Sequence, residues 1–186
     1  MIDKTKSKMA GLAIVVVDLQ EKLLTEIHNR SEVLNSVKLL IHAANIFEIK
    51  ILLTEQVPEK LGNTVDMITD LLSDSETIEK KSFSIFGSES FKESINDSKI
   101  DHLILCGVET SICVYLSAID AVKAGIDVTI LCDCVGGRRI QDSEVALKKL
   151  EQAGCHILPL ETFLYGMMEN TDYPKFKEII NLVKDR

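Results

Sequence analysis

The sequence has no excess of basic residues and no long apolar run. Its 21 lysines and arginines are outnumbered by 29 acidic residues, the two signs are interleaved, and the net charge is −8. Because it lacks the basic stripe that neutralises phosphates, we expect no nucleic-acid partner. No apolar run approaches the roughly 20 residues that cross a bilayer, so we expect no membrane partner either.

The sequence also lacks the dense, even set of cysteines that stabilises small secreted domains. Its five cysteines lie mostly inside apolar runs, which predicts reduced thiols, no disulfides and a cytoplasmic location. The first eight residues are polar and contain no recognisable targeting segment. A chain of 186 residues is expected to form one domain over residues 1–186, burying roughly 70% of its unfolded surface.

Repeats, low-complexity tracts and linkers are absent, and apolar runs of strand length alternate with helical periodicity. Strands are predicted over residues 12–17, 49–54, 77–80, 102–106, 127–131 and 155–158. Helices are predicted over residues 31–47, 65–72, 90–96, 112–124, 143–153, 162–169 and 174–184. This alternation predicts an α/β fold with a six-stranded, mostly parallel, doubly wound Rossmann-like sheet and helices on both faces.

The stretch 103–114 holds the candidate nucleophile. An apolar strand ends at Gly107, the small hydroxyl residues Thr110 and Ser111 can cap a helix, and Cys113 follows in the first helical turn. The positive end of the helix dipole and unpaired backbone N–H groups are expected to lower the pKa of this thiol. The alternative interpretation is that Cys113 is a small core residue on a buried helix.

An acid and a base are predicted at the same edge of the sheet as the thiol. Asp18 ends the first strand and Lys80 ends the third, and ligands of such sheets bind beyond the carboxyl ends of the strands. Asp18 could take the thiol proton, with Lys80 holding the carboxylate in place. Strand alternation sends Lys80 and its neighbour Lys81 to opposite faces, and spacing alone does not choose between them.

The turn before Cys113 offers two further contributions. Its backbone N–H groups, including that of Cys113, could stabilise the oxyanion of a tetrahedral intermediate. The Glu109 carboxylate could recognise a cationic or hydrogen-bonding group of the substrate at the pocket mouth. Its alternative role is that of a solvated loop acid.

Four short motifs in order resemble the isochorismatase-like cysteine hydrolase family over about residues 12–158. They are Asp18-Leu19-Gln20, Thr54-Glu55-Gln56-x-Pro58 with Leu61-Gly62-x-Thr64, Lys80-x-x-Phe83-Ser84-x-Phe86, and Gly107-Val108-Glu109-Thr110-x-x-Cys113-Val114.

The resemblance implies a Rossmann-like fold with a catalytic triad of Cys113, Asp18 and Lys80, and it selects Lys80 because the family's lysine stands three residues before the phenylalanine. It also implies a cis peptide between Val108 and Glu109, with the N–H groups of Glu109 and Cys113 as oxyanion donors. Family members commonly form dimers or larger homo-oligomers.

The sequence departs from the nicotinamidases of this superfamily at their metal site. Where those enzymes carry Asp-x-His, the corresponding stretch reads Leu53-Thr54-Glu55-Gln56, and the four histidines lack paired ligand spacing. We therefore predict no catalytic metal and no cofactor. The motifs are most similar to the isochorismatase domain-containing branch, which leaves the substrate open.

Gln20, Gln56 and Phe83 are predicted to contact substrate, with loop hydrogen bonding as the alternative for the two glutamines. Phe83 and Phe86 could line the pocket, although such an aromatic pair beside a strand end often belongs to the core.

Two other features carry weaker signals. Cys132-x-Cys134 lacks the two-residue spacer of a redox pair and is interpreted as a buried strand end and loop. The stretch Gly136-Gly137-Arg138-Arg139 follows the fifth strand and could bind an anion, but a solvated loop is the default interpretation.

The sequence thus favours a metal-free cysteine hydrolase that cleaves a small amide, or a related C–N or C–O bond, through a thioester on Cys113. Its partner would be a small-molecule substrate. One alternative is a non-catalytic domain that binds a nucleotide or small ligand, which the lack of a Gly-x-Gly-x-x-Gly motif after the first strand disfavours. The other is a catalytically retired, oligomeric scaffold.

Overall fold

A six-stranded parallel sheet organises the protein in the computed structural model, which describes residues 11–72 and 75–184. The strands are β1 (Leu12–Val17), β2 (Lys50–Gln56), β3 (Glu76–Lys80), β4 (His102–Val108), β5 (Asp127–Gly136) and β6 (His156–Leu158). Their order in the sheet is β3-β2-β1-β4-β5-β6, and every pairing is parallel. The predicted α/β fold is confirmed.

Helices lie on both sides of this sheet and connect its strands. They are α1 (Glu21–Leu24), α2 (Arg30–Phe47), α3 (Pro58–Leu61), α4 (Asp66–Thr69), α5 (Glu89–Asp97), α6 (Tyr115–Lys123), α7 (Ile140–Gln152), α8 (Leu160–Met168) and α9 (Phe176–Lys184). A 3₁₀ turn, Ile85–Gly87, precedes α5, and a π-helical turn, Thr110–Val114, precedes α6.

The central strand β1 supplies both hydrophobic cores because its side chains alternate between the two faces. Ile14 and Val16 pack in the core formed with α2, α8 and α9, while Ala13 and Val15 pack in the core formed with α5, α6 and α7. All of these side chains are buried. The continuous apolar run is thus that of a strand covered on both sides.

The register of the sheet brings the strand ends that carry polar residues to one edge. Val17 is level with both Thr54 of β2 and Gly107 of β4, and Gln56 is level with Lys80 of β3. These are the carboxyl ends of neighbouring parallel strands, where ligands of open α/β sheets bind.

Two element boundaries differ substantially from the prediction. β5 continues to Gly136, so Cys132 and Cys134 lie within the strand rather than at its end and in a loop. The predicted helix 112–124 begins instead as the π-helical turn, and the structure shows no side-chain cap from Thr110 or Ser111. The short helices α1 and α3 were not predicted because four residues carry too little periodicity.

No helix among the described residues has both the length and the apolar content needed to span a membrane.

Candidate active site

Asp18, Lys80 and Cys113 meet beyond the carboxyl ends of β1, β3 and β4. The Lys80 Nζ atom donates to Asp18 Oδ2 at 2.6 Å, and both side chains are fully buried. The Cys113 thiol is within hydrogen-bonding reach of the Asp18 carboxylate. Three groups that are far apart in sequence therefore form one contiguous chain of contacts.

The backbone at Asp18 turns sharply at the end of β1. Its φ angle is 51°, a left-handed conformation that Asp adopts more readily than most residues. The Asp18 N–H still donates to the Thr54 carbonyl of β2 at 3.1 Å, and the Thr54 hydroxyl donates to Asp18 Oδ1 at 2.8 Å. Thr54 thus fixes the carboxylate oxygen that Lys80 does not bind. The one signal of Thr54 in the sequence is a hydroxyl residue directly after the apolar run of residues 51–53.

The Lys80 ammonium has a protein acceptor for each of its three N–H groups. Besides Asp18, it donates to Gln56 Oε1 at 2.8 Å and to the Ser82 carbonyl at 3.3 Å. Such complete pairing allows a lysine to stay charged when buried. Lys81 is exposed. Of the two neighbouring lysines between which the strand alternation could not choose, Lys80 is therefore the buried one.

The side chains of the two glutamines predicted to contact substrate, Gln20 and Gln56, form hydrogen bonds within the protein. Gln20 is fully buried; its Oε1 accepts from the Gln56 N–H at 2.7 Å, and its Nε2 donates to the Gln56 and Gly62 carbonyls. Gln56 Nε2 donates to the Lys81 carbonyl at 2.8 Å while its Oε1 accepts from Lys80. The two side chains therefore hold the Lys80 site and the loop after β2, as the alternative of loop hydrogen bonding expected, and their contact with substrate stays a prediction.

The π-helical turn holds Cys113 against Asp18. The Ile112 and Val114 N–H groups both donate to the Glu109 carbonyl, and the Cys113 carbonyl accepts from the Ser117 hydroxyl at 2.6 Å. Turns of this kind occur frequently at functional sites. The Cys113 residue is only 6% exposed, so its side chain is largely shielded from solvent.

The expectation of a lowered thiol pKa is wrong. Burial, together with the negative charge of Asp18, raises the pKa of Cys113 to about 12, although Lys80 and the Glu109 backbone N–H act in the opposite direction. Burial also raises the pKa of Asp18 above its ordinary value, and Lys80 offsets part of that effect. The resting site therefore holds a neutral thiol beside a carboxylate that is more basic than usual.

Glu109 directly precedes the π-helical turn and is already paired with a basic side chain. Its Oε2 accepts from Arg138 Nε at 2.8 Å, and the Glu109 side chain is 13% exposed while that of Arg138 is 54% exposed. The carboxylate that was predicted to bind a cationic group of the substrate thus has a cationic partner within the chain. Sequence reasoning placed Arg138 in a solvated loop, because nothing local shows that β5 brings it to Glu109. The Val108–Glu109 peptide is cis.

The two phenylalanines that follow Lys80 lie in different environments. Phe83 is 58% exposed, so it stays a candidate for substrate contact. Phe86 is half-buried, packs edge-to-face on Phe91 with ring centroids 5.4 Å apart and covers the edge of the core. Thr110, in the turn before Cys113, is fully buried, and its hydroxyl has no hydrogen-bond partner among the described residues.

Potential metal ligands do not cluster in this part of the chain. Within residues 11–72 and 75–184, no three His, Cys, Asp or Glu side chains are arranged to hold a metal ion. No disulfide forms among the described cysteines.

The sequence matches the isochorismatase domain model over residues 12–162. A zebrafish (Danio rerio) protein named isochorismatase domain-containing protein 2 is 32% identical over 174 residues, which cover 93% of this chain and 87% of the relative.

Solved structures with the same fold include a Caenorhabditis elegans protein described as the MAR1 ribonuclease. It superposes with a TM-score of 0.89 at 32% identity, and the superposition covers 95% of this chain and 91% of the C. elegans chain. The Escherichia coli YcaC protein, described as an octameric hydrolase of unknown specificity, superposes with a TM-score of 0.78 at 20% identity over 95% of both chains. The second likeness concerns the fold alone.

Proposed function

The chain belongs to the isochorismatase domain family, whose members are in general hydrolases, and on that premise we propose that it is a cysteine hydrolase acting without a metal. The substrate would be a small molecule with an amide, or a related C–N or C–O bond. The contact of Cys113 with Asp18, itself paired to Lys80 at 2.6 Å, is the observation that carries the proposal.

The first half-reaction would form a thioester. As the Cys113 sulfur attacks the carbonyl carbon, Asp18 takes the thiol proton, and the oxygen of the tetrahedral intermediate carries the negative charge. The C–N bond then breaks, and Asp18 gives its proton to the leaving nitrogen. The sulfur keeps the acyl group, and Lys80 stays protonated throughout.

The second half-reaction would consume one water molecule. The water oxygen attacks the thioester carbon while Asp18 takes a proton from the water. The C–S bond then breaks and releases the carboxylic acid. The proton held by Asp18 returns to the sulfur, which restores the resting thiol. The raised pKa of Asp18 supports this double role, because a more basic carboxylate takes a proton more readily.

Backbone N–H groups would stabilise the oxyanion in both steps. The N–H groups of Glu109, which precedes the π-helical turn, and of Cys113, which lies within it, are the proposed donors. The hydrogen bond from the Glu109 N–H toward the Cys113 sulfur supports this assignment, since it places one donor beside the attacking atom. Removing such a donor typically costs about 3 kcal/mol of transition-state stabilisation.

A panel of small amides tests the proposal with wild type beside Cys113→Ser and Asp18→Asn. Amide hydrolysis is expected in wild type alone, with an acyl adduct on Cys113 in the intact-protein mass after rapid acid quenching. A parallel arm offers RNA, because the C. elegans relative is described as a ribonuclease. RNA cleavage that survives Cys113→Ser, with every amide left intact, would overturn the proposal.

We further propose that the protein acts as a homo-oligomer of one-domain chains in the cytoplasm. The similarity in fold to a protein described as octameric and the absence of a disulfide among the described cysteines are consistent with it.

A further inference from the structure

Helix α7 has an exposed stripe that the proposed chemistry does not use. The side chains of Asp142, Val145, Ala146 and Lys149 line a groove of about 370 Å³ between α7 and the turn that carries Cys113, where Ser111 and Tyr115 form the other wall. Val145 is 63% exposed in the middle of the stripe, whereas Ala146 is buried. Val145 thus adds exposed apolar surface to a groove that charged side chains flank, a composition typical of interaction sites.

The charges of the stripe are arranged symmetrically about its centre. Asp142 and Lys149 are seven residues apart, just under two helical turns, and therefore lie on the same side of α7 about 10 Å from one another along its axis. Their midpoint falls between Val145 and Ala146. Along α7 the stripe therefore has the order acid, apolar, apolar, base. A second copy of the stripe in the opposite direction would present the complementary order, base, apolar, apolar, acid.

A two-fold axis through that midpoint would satisfy both ends at once. It would place each Asp142 opposite the Lys149 of the second copy, with the Val145 side chains between the two ion pairs and the small Ala146 allowing close approach. A contact of this self-complementary kind is the usual basis of symmetric dimers. The partners within the chain are weak competitors, since Arg139 lies 3.8 Å from Asp142 and Lys149 contacts the neutral Gln152.

We propose that the groove is an interface with a second copy of this chain, formed by antiparallel packing of the α7 stripes about a two-fold axis. Because Ser111 and Tyr115 belong to the opposite wall, the second copy would pack against the turn that positions Cys113. The proposal is independent of the bond that the site cleaves.

Charge reversal tests the pairing directly. Light scattering coupled to size-exclusion chromatography gives the number of chains per particle for wild type, Asp142→Lys, Lys149→Asp and the double variant. Each single reversal places like charges opposite one another across the two-fold axis and is expected to halve the number of chains per particle. The double variant restores opposite charges and is expected to recover the wild-type mass.

A matched pair on the far side of α7 controls for surface charge and folding. Glu144 and Lys148 are exposed and lie on the opposite side of the helix, so Glu144→Lys and Lys148→Glu should leave the mass unchanged. Circular dichroism and thermal melting establish that all variants fold. A monomeric wild type, single reversals that keep the wild-type mass, or a double variant that fails to reassociate while folded would each overturn the proposal.

Discussion

At the scale of single residues, the site differs from the sequence-based expectation in the state of its thiol. A cysteine in a first helical turn is expected to be acidic, yet the pKa of Cys113 is about 12 because the residue is buried and faces the Asp18 carboxylate. The local pattern could not predict this, because Asp18 is brought to the sulfur by strand order. In the proposed mechanism, activation of Cys113 would therefore come from proton transfer to Asp18 rather than from a thiolate already present at rest.

Replacing Asp18 by asparagine should make Cys113 easier to alkylate while abolishing the proposed hydrolysis. The carboxylate raises the thiol pKa and Lys80 lowers it, so removing the negative charge lowers the pKa and increases the thiolate fraction at any given pH. Iodoacetamide labelling at Cys113, followed by peptide mass spectrometry across alkaline pH, should be faster in Asp18→Asn than in wild type. Equal or slower labelling would contradict the assigned contact.

Gln56 is expected to act as a positioning residue for Lys80. Gln56→Leu removes the acceptor at 2.8 Å from the buried ammonium and should lower the free energy of unfolding by about 1–3 kcal/mol. Urea denaturation gives this value. Gln152→Leu is the matched control, because Gln152 accepts from Lys149 at 3.1 Å on the exposed surface and its loss should cost little. Equal costs for the two variants would argue against a buried lysine held by Gln56.

At the scale of elements, the closest approach of β1 and β4 determines how the site is assembled. Gly107 has a φ angle of +108°, and a Cβ atom there would collide with the Val17 carbonyl oxygen and stand 2.7 Å from the Val17 nitrogen. Only glycine allows both this backbone conformation and this contact. The two strands carry Asp18 and Cys113 just beyond the point where they touch.

Gly107→Ala should therefore be far more costly than an alanine at a glycine of similar conformation. Gly125 has a φ angle of +77° with no atom within 4 Å of its Cβ position, so Gly125→Ala carries backbone strain alone, about 1–2 kcal/mol. At Gly107 the collision adds roughly 1–3 kcal/mol. Urea denaturation of both variants measures the difference, and comparable costs would mean that β1 and β4 separate without penalty.

The elements also show which parts of the fold the sequence can predict. Regular apolar runs such as β1 were predicted with their observed bounds, because burial on both faces leaves a local pattern. The extension of β5 was missed because its continuation depends on tertiary contacts: the register with β4 shifts between Leu105 and Gly107, and Asp133 Oδ1 accepts from the Leu160 N–H at the start of α8. The site residues were predictable as positions at strand ends, whereas the pairing of Glu109 with Arg138 was not.

At the scale of the whole molecule, the two hydrophobic cores are separated by one sheet whose strands contribute to both. Loss of either helical layer exposes one face of β1 and β4 and so removes packing that the other layer needs. We therefore expect residues 11–184 to unfold in one cooperative transition, in keeping with the proposed single domain.

Two tyrosines allow this cooperativity to be measured from opposite sides of the sheet. The chain has no tryptophan and three tyrosines; Tyr173 lies 5.6 Å from Phe47 in the α2 layer, and Tyr115 packs against the core of the α6 layer. Fluorescence of variants that keep one of these tyrosines, the others being replaced by phenylalanine, should give coincident urea transitions.

Destabilising one layer should then move both transitions equally. Leu40→Ala removes a fully buried side chain of α2 and is expected to cost about 2–5 kcal/mol, whereas Leu116→Ala, at a residue that is 40% exposed, should cost much less. If the sheet couples the layers, Leu40→Ala shifts the midpoint reported by Tyr115 as far as the one reported by Tyr173, although Tyr115 is on the other side. A shift confined to Tyr173 would mean that the α2 layer unfolds by itself, and that the site between the strand ends rests on the α6 layer and the sheet alone.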